Sequence, residues 1–165
     1  MPDASSALRQ VSAVVARGHG VASGQSTADT RFPQGTIRMQ LPLFAARGLD
    51  LDAYFSGNFL AATLNLDLAP WRVQILRPEF FLSSVKWTDL MPAENFFLSA
   101  ARIGFGDRPY KAMLYIPDPA TKPDHFQPPT IVEAIAEPIA GLGHGDAVTL
   151  HYNPAAMRLV PKGAE

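Results

Sequence analysis

Short runs of alternating apolar and polar residues, several of them cut off by a proline, constrain this chain more than any other feature. Thr63-Leu64-Asn65-Leu66-Asp67-Leu68 is closed by Pro70, Thr36-Ile37-Arg38-Met39-Gln40-Leu41 by Pro42, and Trp71 to Leu76 by Pro78. A period of two is the signature of a strand with one buried face. Proline has a fixed φ and no N–H, so it ends the ladder. With 15 prolines and 12 glycines along the chain, many short elements joined by turns are favoured over long helices.

The run from Thr63 to Leu68 carries the most chemistry. Leu64, Leu66 and Leu68 point one way and are expected inward. Thr63, Asn65 and Asp67 point the other way, spaced roughly 7 Å apart along the strand. That face offers a hydroxyl, an amide oxygen and a carboxylate, the hard oxygen donors that Mg²⁺ takes. An ordinary strand with its polar face in water has the same pattern.

The other elements follow in order. Residues 1–10 read as a tail, in which Asp3 is placed to cap a short helix. Val11 to Ala22 reads as a strand broken near Gly18 and Gly20. It runs into the small-residue loop Ser23 to Asp29, whose backbone N–H groups suit an anion. Thr36 to Leu41 is expected to be a strand, and Phe44 to Phe55 a set of helical turns interrupted at Gly48. Further strands are expected at 71–76, 95–105, 110–116 and 147–152, with Val148, Leu150 and Tyr152 inward; 80–87 is aromatic and mixed, and 131–136 reads as a strand or a short helical turn. Pro117 to Pro129 holds five prolines in thirteen residues and must be an irregular loop. Residues 153–165 read as a second tail. Residues 11–152 then form one domain of about six to eight short strands, a small β-barrel or a sandwich.

Composition narrows the function classes. At 165 residues with 47% hydrophobic and 18% charged side chains, the chain can bury one sizeable core. A net charge of −1 and the absence of a basic block argue against a nucleic-acid partner. There is no cysteine, so no thiolate metal site or disulfide framework is available. His19, His125, His144 and His151 lack the paired spacing of a zinc site. No apolar run reaches the ~18 residues of a membrane helix. A soluble, cytoplasmic protein with a small-molecule ligand, and with neither nucleic acid nor membrane as partner, is the expectation. The aromatic pairs Phe80-Phe81 and Phe96-Phe97, with Trp71 and Trp87, are expected in packing.

The order of several short motifs resembles the CTP-dependent riboflavin kinases of the archaeal type. These motifs are Gly20-Val21-Ala22-Ser23-Gly24, then Ala62-Thr63-Leu64-Asn65, then Pro117, Thr121 and His125, then Glu133-Ala134-Ile135-Ala136, and last Gly145-Asp146-Ala147-Val148. Together they span roughly residues 18 to 152. The resemblance implies an all-β fold, a six-stranded cradle-loop (RIFT-related) β-barrel with short helices and long loops. It also implies an activity, the Mg²⁺-dependent phosphorylation of a flavin, with CTP as donor and riboflavin or FMN as substrate or product. By the same resemblance Thr63 and Asn65 hold the metal, Ser23, Gly24 and Gln25 bind the nucleotide, and Thr121, His125 and Glu133 lie at the flavin. It assigns no catalytic residue. Gly35-Thr36-Ile37-Arg38 is a second candidate for the Thr-x-Asn motif, with arginine where the asparagine belongs.

The chain departs from the family at several points. Ala62 replaces the glycine before Thr63. Gln25-Ser26-Thr27-Ala28 stands where more glycines belong, and side chains there restrict backbone approach to a phosphate. Of the basic residues beside the late threonine only Lys122 remains, and Pro138-Ile139-Ala140-Gly141 replaces a Leu-Arg pair. These departures keep two further readings open, a non-catalytic flavin- or nucleotide-binding barrel and a structural or interaction domain.

Overall fold

The computed structural model describes residues 8–17, 35–121 and 128–163. In chain order it has β1 (Arg9–Ala16), α1 (Thr36–Ala46), α2 (Leu51–Phe55), β2 (Leu64–Asp67), β3 (Trp71–Ile75), β4 (Phe80–Val85), β5 (Glu94–Phe105), β6 (Arg108–Pro117), β7 (Ile131–Ala136), β8 (Ala147–Tyr152) and β9 (Met157–Pro161). The main sheet runs β4-β5-β6-β7-β2-β1-β8, and β8 returns to pair with β5. Six antiparallel strands thus close into a barrel, with β4 appended to the edge of β5. Strands β3 and β9 form a separate two-stranded ribbon. Among the described residues, no helix is long and apolar enough to cross a membrane.

Strands β5, β6 and β7 bury side chains on both faces. Inside the barrel, Leu66, Leu68, Ile103, Leu114, Ala134 and Leu150 are almost completely excluded from water, so side chains fill the lumen. Leu64, Leu66 and Leu68 face this core, as their alternation predicts, and so do Val148, Leu150 and Tyr152. Outside the wall lies a second apolar layer. Ile37 and Phe44 of α1, Leu51 and Phe55 of α2, and Leu82 and Val85 of β4 pack on Phe96, Leu98, Met113 and Ile135. Phe44 meets Phe96 edge-on, with ring centroids 5.2 Å apart.

The first correction concerns residues 36–41, which form the start of α1 and not a strand. Its buried residues are Thr36, Ile37, Gln40 and Phe44, a spacing of three and four that belongs to a helix. Six residues ending at Leu41 satisfy a period of two equally well; only Phe44 separates the readings. Pro42 lies inside the helix and does not end it. Both Pro42 and Arg38, whose carbonyl loses its helical partner, are on the exposed side, where water can take the orphaned bond. The helical turns expected before Phe55 are present: α1 ends at Ala46, Gly48 has φ 96°, and Asp50 caps α2 by accepting the Ala53 N–H at 3.1 Å.

The second correction concerns the two tails. Residues 153–165 contain β9, which pairs with β3 from Trp71↔Pro161 to Ile75↔Met157, and Met157 is buried against the barrel. At the other end, β1 begins at Arg9, inside the expected first tail; the capping role expected of Asp3 lies outside the described residues. Of the aromatic residues expected in packing, Trp87 and Phe96 are buried. Trp71 is exposed, and Phe81 is 52% exposed, stacked on Phe97 at 5.1 Å.

Helix α2 is pinned to the barrel by polar contacts. The Tyr54 hydroxyl donates to the Ala112 carbonyl at 2.8 Å, and Lys111 Nζ donates to the Tyr54 carbonyl at 2.9 Å. Burial, with the field of Glu79, pushes the Tyr54 phenol up to about 12. A raised phenol pKa means that the folded state holds its proton more tightly than the unfolded chain does. The associated stability is complete below pH 10 and is lost as pH rises towards 12. Urea titrations across that window are expected to show falling stability, with a shallower fall for Tyr54→Phe. Phe44→Ala, which empties the space between α1 and the wall, is expected to cost about 3–5 kcal/mol by urea denaturation.

Candidate functional site

Strand β2 lies between β1 and β7, with Asn65 opposite Ala16 on one side and Glu133 on the other. Glu133 in turn faces Tyr115 of β6, and Tyr115 faces Leu98 of β5. Directly opposed residues share a sheet face with Cβ atoms about 5 Å apart. Asn65, Glu133 and Tyr115 therefore form a polar row across the outer wall, and α1 packs over its Tyr115 end.

This placement corrects the reading of the Thr63–Asp67 face as one turned to water. Asn65 is only 8% exposed, and Thr63 and Glu133 are half-buried. The Thr63 hydroxyl donates to Glu133 Oε1 at 2.9 Å. Asp67 takes a local role instead: its Oδ1 accepts the Ala69 N–H at 3.0 Å, shaping the turn into β3.

The row continues under α1. The Tyr115 hydroxyl donates to Gln40 Oε1 at 2.7 Å, with both residues buried. Burial pushes the Tyr115 phenol well above its ordinary value, and the nearby carboxylates of Glu133 and Glu94 push it further. Glu94 is 3% exposed and accepts the Trp87 indole N–H at 2.6 Å. Buried polar groups in such a network need partners, because each unpaired one costs a few kcal/mol.

Among the residues singled out from the sequence, the fold brings together Thr63, Asn65 and Glu133. Thr121 lies in the turn after β6. Its hydroxyl accepts the Asn95 N–H at 2.9 Å and donates to the Asp118 carbonyl at 3.2 Å. Asn95 also accepts the N–H of Ser84, a residue with φ 52° at a bulge in β4. Ser23, Gly24, Gln25 and His125 lie outside the described residues. The alternative motif at Gly35 to Arg38 is spent on α1, where Thr36 is buried in the first turn.

Sequence reasoning missed Gln40, Tyr115 and Glu94, and read Trp87 only as packing. Gln40 carried a usable signal, since it is the one polar residue on the helical line Ile37–Gln40–Phe44. That line is visible only once the segment is read as a helix.

No group of three or more His, Cys, Asp or Glu side chains that could hold a metal ion occurs among the described residues. The donors that do gather are a hydroxyl, an amide and one carboxylate. This set fits Mg²⁺, which binds through one or two carboxylates and leaves its other positions to water and phosphate. No protein-family model matches this sequence, and no curated protein matches it.

The Tyr115–Gln40 bond can be tested on its own. Tyr115→Phe leaves a buried amide oxygen without this donor and is expected to cost about 1–3 kcal/mol. Adding Gln40→Leu is expected to recover part of that loss, giving a coupling of about 0.5–3 kcal/mol in a double-mutant cycle.

Proposed function

We propose that the chain is a phosphotransferase of the riboflavin kinase type, acting on the hydroxyl of a flavin or related small molecule with a nucleoside triphosphate and Mg²⁺. The observation that carries this reading is the meeting of Thr63, Asn65 and Glu133 on two adjacent strands, with the Thr63 hydroxyl hydrogen-bonded to Glu133 at 2.9 Å. Thr63 and Asn65 are the two residues that the sequence resemblance marks for the metal. Their gathering beside a carboxylate supplies the hard oxygen donors such a site requires.

In the reaction, the acceptor hydroxyl oxygen forms a bond to the γ-phosphorus, the bridging P–O bond breaks, and the nucleoside diphosphate departs while the hydroxyl proton is released. Phosphoryl transfer asks the protein mainly for positioning and charge neutralisation. Mg²⁺ held by Thr63 and Asn65 would offset the charge of the phosphates. The chain's own contribution is a rigid wall, since β2 is paired on both sides. CTP is the donor implied by the resemblance, and a cytoplasmic location goes with a nucleotide-consuming enzyme.

A second reading has an observation of its own. Asn65 is buried and Thr63 is hydrogen-bonded within the chain. That is what a structural domain, filling this face with its own side chains, would show. The departures at Ala62 and Gln25 to Ala28 lean towards a barrel that binds without turnover.

A matrix of thermal shifts separates these readings, with riboflavin, FMN, CTP and ATP each tested with and without Mg²⁺. A ligand at 100 times its Kd adds about 2.7 kcal/mol, a rise of about 5–10 °C for a domain of this size. The phosphotransferase is expected to show a Mg²⁺-dependent rise with CTP and a rise with riboflavin. Thr63→Ala and Asn65→Ala are each expected to abolish the Mg²⁺-dependent part. A flavin rise alone supports the non-catalytic barrel, and no rise with any ligand supports the structural domain.

A further inference from the structure

We propose that Arg47 and the bulge at Ser84 close the free edge of β4, and that without the Arg47 contact the chain pairs with a second copy of itself along that edge. The inference is independent of the phosphotransferase reading.

The argument starts from where the main sheet ends. Six strands close on one another, but β4 is appended outside that closure and pairs only with β5. Among the described residues no strand lies along its other edge. Such an edge presents unpaired N–H and C=O groups to any extended chain. The β4 sequence, Phe80-Phe81-Leu82-Ser83-Ser84-Val85, is aromatic and branched, with no charge and no proline. That composition favours strand-to-strand association. Phe81 is exposed and stacked on Phe97, and Phe97 stands opposite Ile116 of β6. A strand added to β4 would therefore extend an apolar row already laid across three strands.

Two features interrupt this edge. Phe80, Phe81 and Leu82 are in register with Leu98, Phe97 and Phe96, whereas Val85 is opposite Glu94. Ser83 and Ser84 thus stand against the single residue Asn95, which is the count of a β-bulge. Ser84 is in the left-handed region at φ 52°, and its N–H donates to Asn95 Oδ1 at 2.9 Å. Asn95 is itself held, its Nδ2 donating to Asp118 Oδ2 at 3.2 Å. The Arg47 guanidinium then takes the carbonyls of the bulge. One nitrogen donates to Ser83 at 2.9 Å, and the other makes a longer contact with Ser84 at 3.5 Å.

Arginine suits this task. Its planar fork presents donors in a fixed geometry and stays charged at every working pH, so an approaching backbone meets a cation it would have to strip of water. A regular ladder on the free edge is then confined to Phe80, Phe81 and Leu82, the short end of strand lengths. Without the guanidinium, the carbonyls of Ser83 and Ser84 are open to a neighbouring chain. Barrel closure leaves each copy one such edge in the main sheet, so antiparallel pairing about a two-fold axis stops at a dimer.

The test is sedimentation velocity of the full chain from micromolar to millimolar concentration, together with hydrogen exchange at the amides of residues 80–83. In the parent chain, exchange at these amides is expected to be independent of protein concentration. Arg47→Ala is expected to melt cooperatively, to double its sedimenting mass as concentration rises, and to slow exchange at residues 80–83 in step. Arg47→Met, which keeps the aliphatic stem, replaces the alanine variant if that one fails to fold. Adding Phe81→Lys, which puts a charge on the edge, is expected to return the variant to a monomer.

An Arg47→Ala variant that stays monomeric overturns the proposal. Association that protects amides elsewhere and leaves residues 80–83 unprotected overturns it too, as does association that survives Phe81→Lys. A parent chain whose residues 80–83 gain protection with rising concentration also overturns it, because the edge would then be open with Arg47 in place.

Discussion

The outer face of β5, β6 and β7 carries an apolar patch, and much of the architecture follows from having to cover it. Phe96, Leu98, Met113 and Ile135 point away from the lumen and would lie in water on a bare barrel. At roughly 25 cal/mol per Å² of apolar surface, leaving such side chains exposed would remove several kcal/mol from a marginally stable fold. Helices α1 and α2 and the appended strand β4 supply the cover. Arg47, just past α1, ties two parts of that cover together by donating to the Ser83 carbonyl of β4 at 2.9 Å.

Covering the wall also buries whatever polar groups it carries, and this links architecture to chemistry. Asn65, Glu133 and Tyr115 occupy the same face as the apolar patch, so α1 must bring a polar group of its own, and Gln40 meets Tyr115. Helix α1 is thereby coupled to the strand row that carries the candidate site.

Strictly alternating strands were the legible part of the chain. The stretch from Thr63 to Leu68 and the strand ending at Tyr152 have inward leucines and valines that leave no second interpretation. The beginning of α1 was not legible, because Ile37, Met39 and Leu41 satisfy a strand while Ile37, Gln40 and Phe44 satisfy a helix. Tertiary packing on Phe96 decides between them. Strand β9 was hidden for another reason: its reason to be a strand is β3, far away in sequence. The candidate site divides the same way. Thr63 and Asn65 came from alternation within one strand, and Glu133 came only through the order of motifs. Gln40 and Tyr115 meet only after the wall has been covered, which no local pattern encodes.

Barrel closure has a consequence for how the chain is made. The β5–β6 hairpin is built from neighbours in sequence, turning at Gly106 with φ 62°. The seam is different, since β8 must find both β1 and β5. Loop closure across nearly the whole domain precedes any gain from that pairing, which makes such topologies slow to fold. On the ribosome, β1 therefore waits as an unpartnered edge beside β2 until Tyr152 has emerged, and it is during that interval that the growing chain is most open to pairing with the wrong strand.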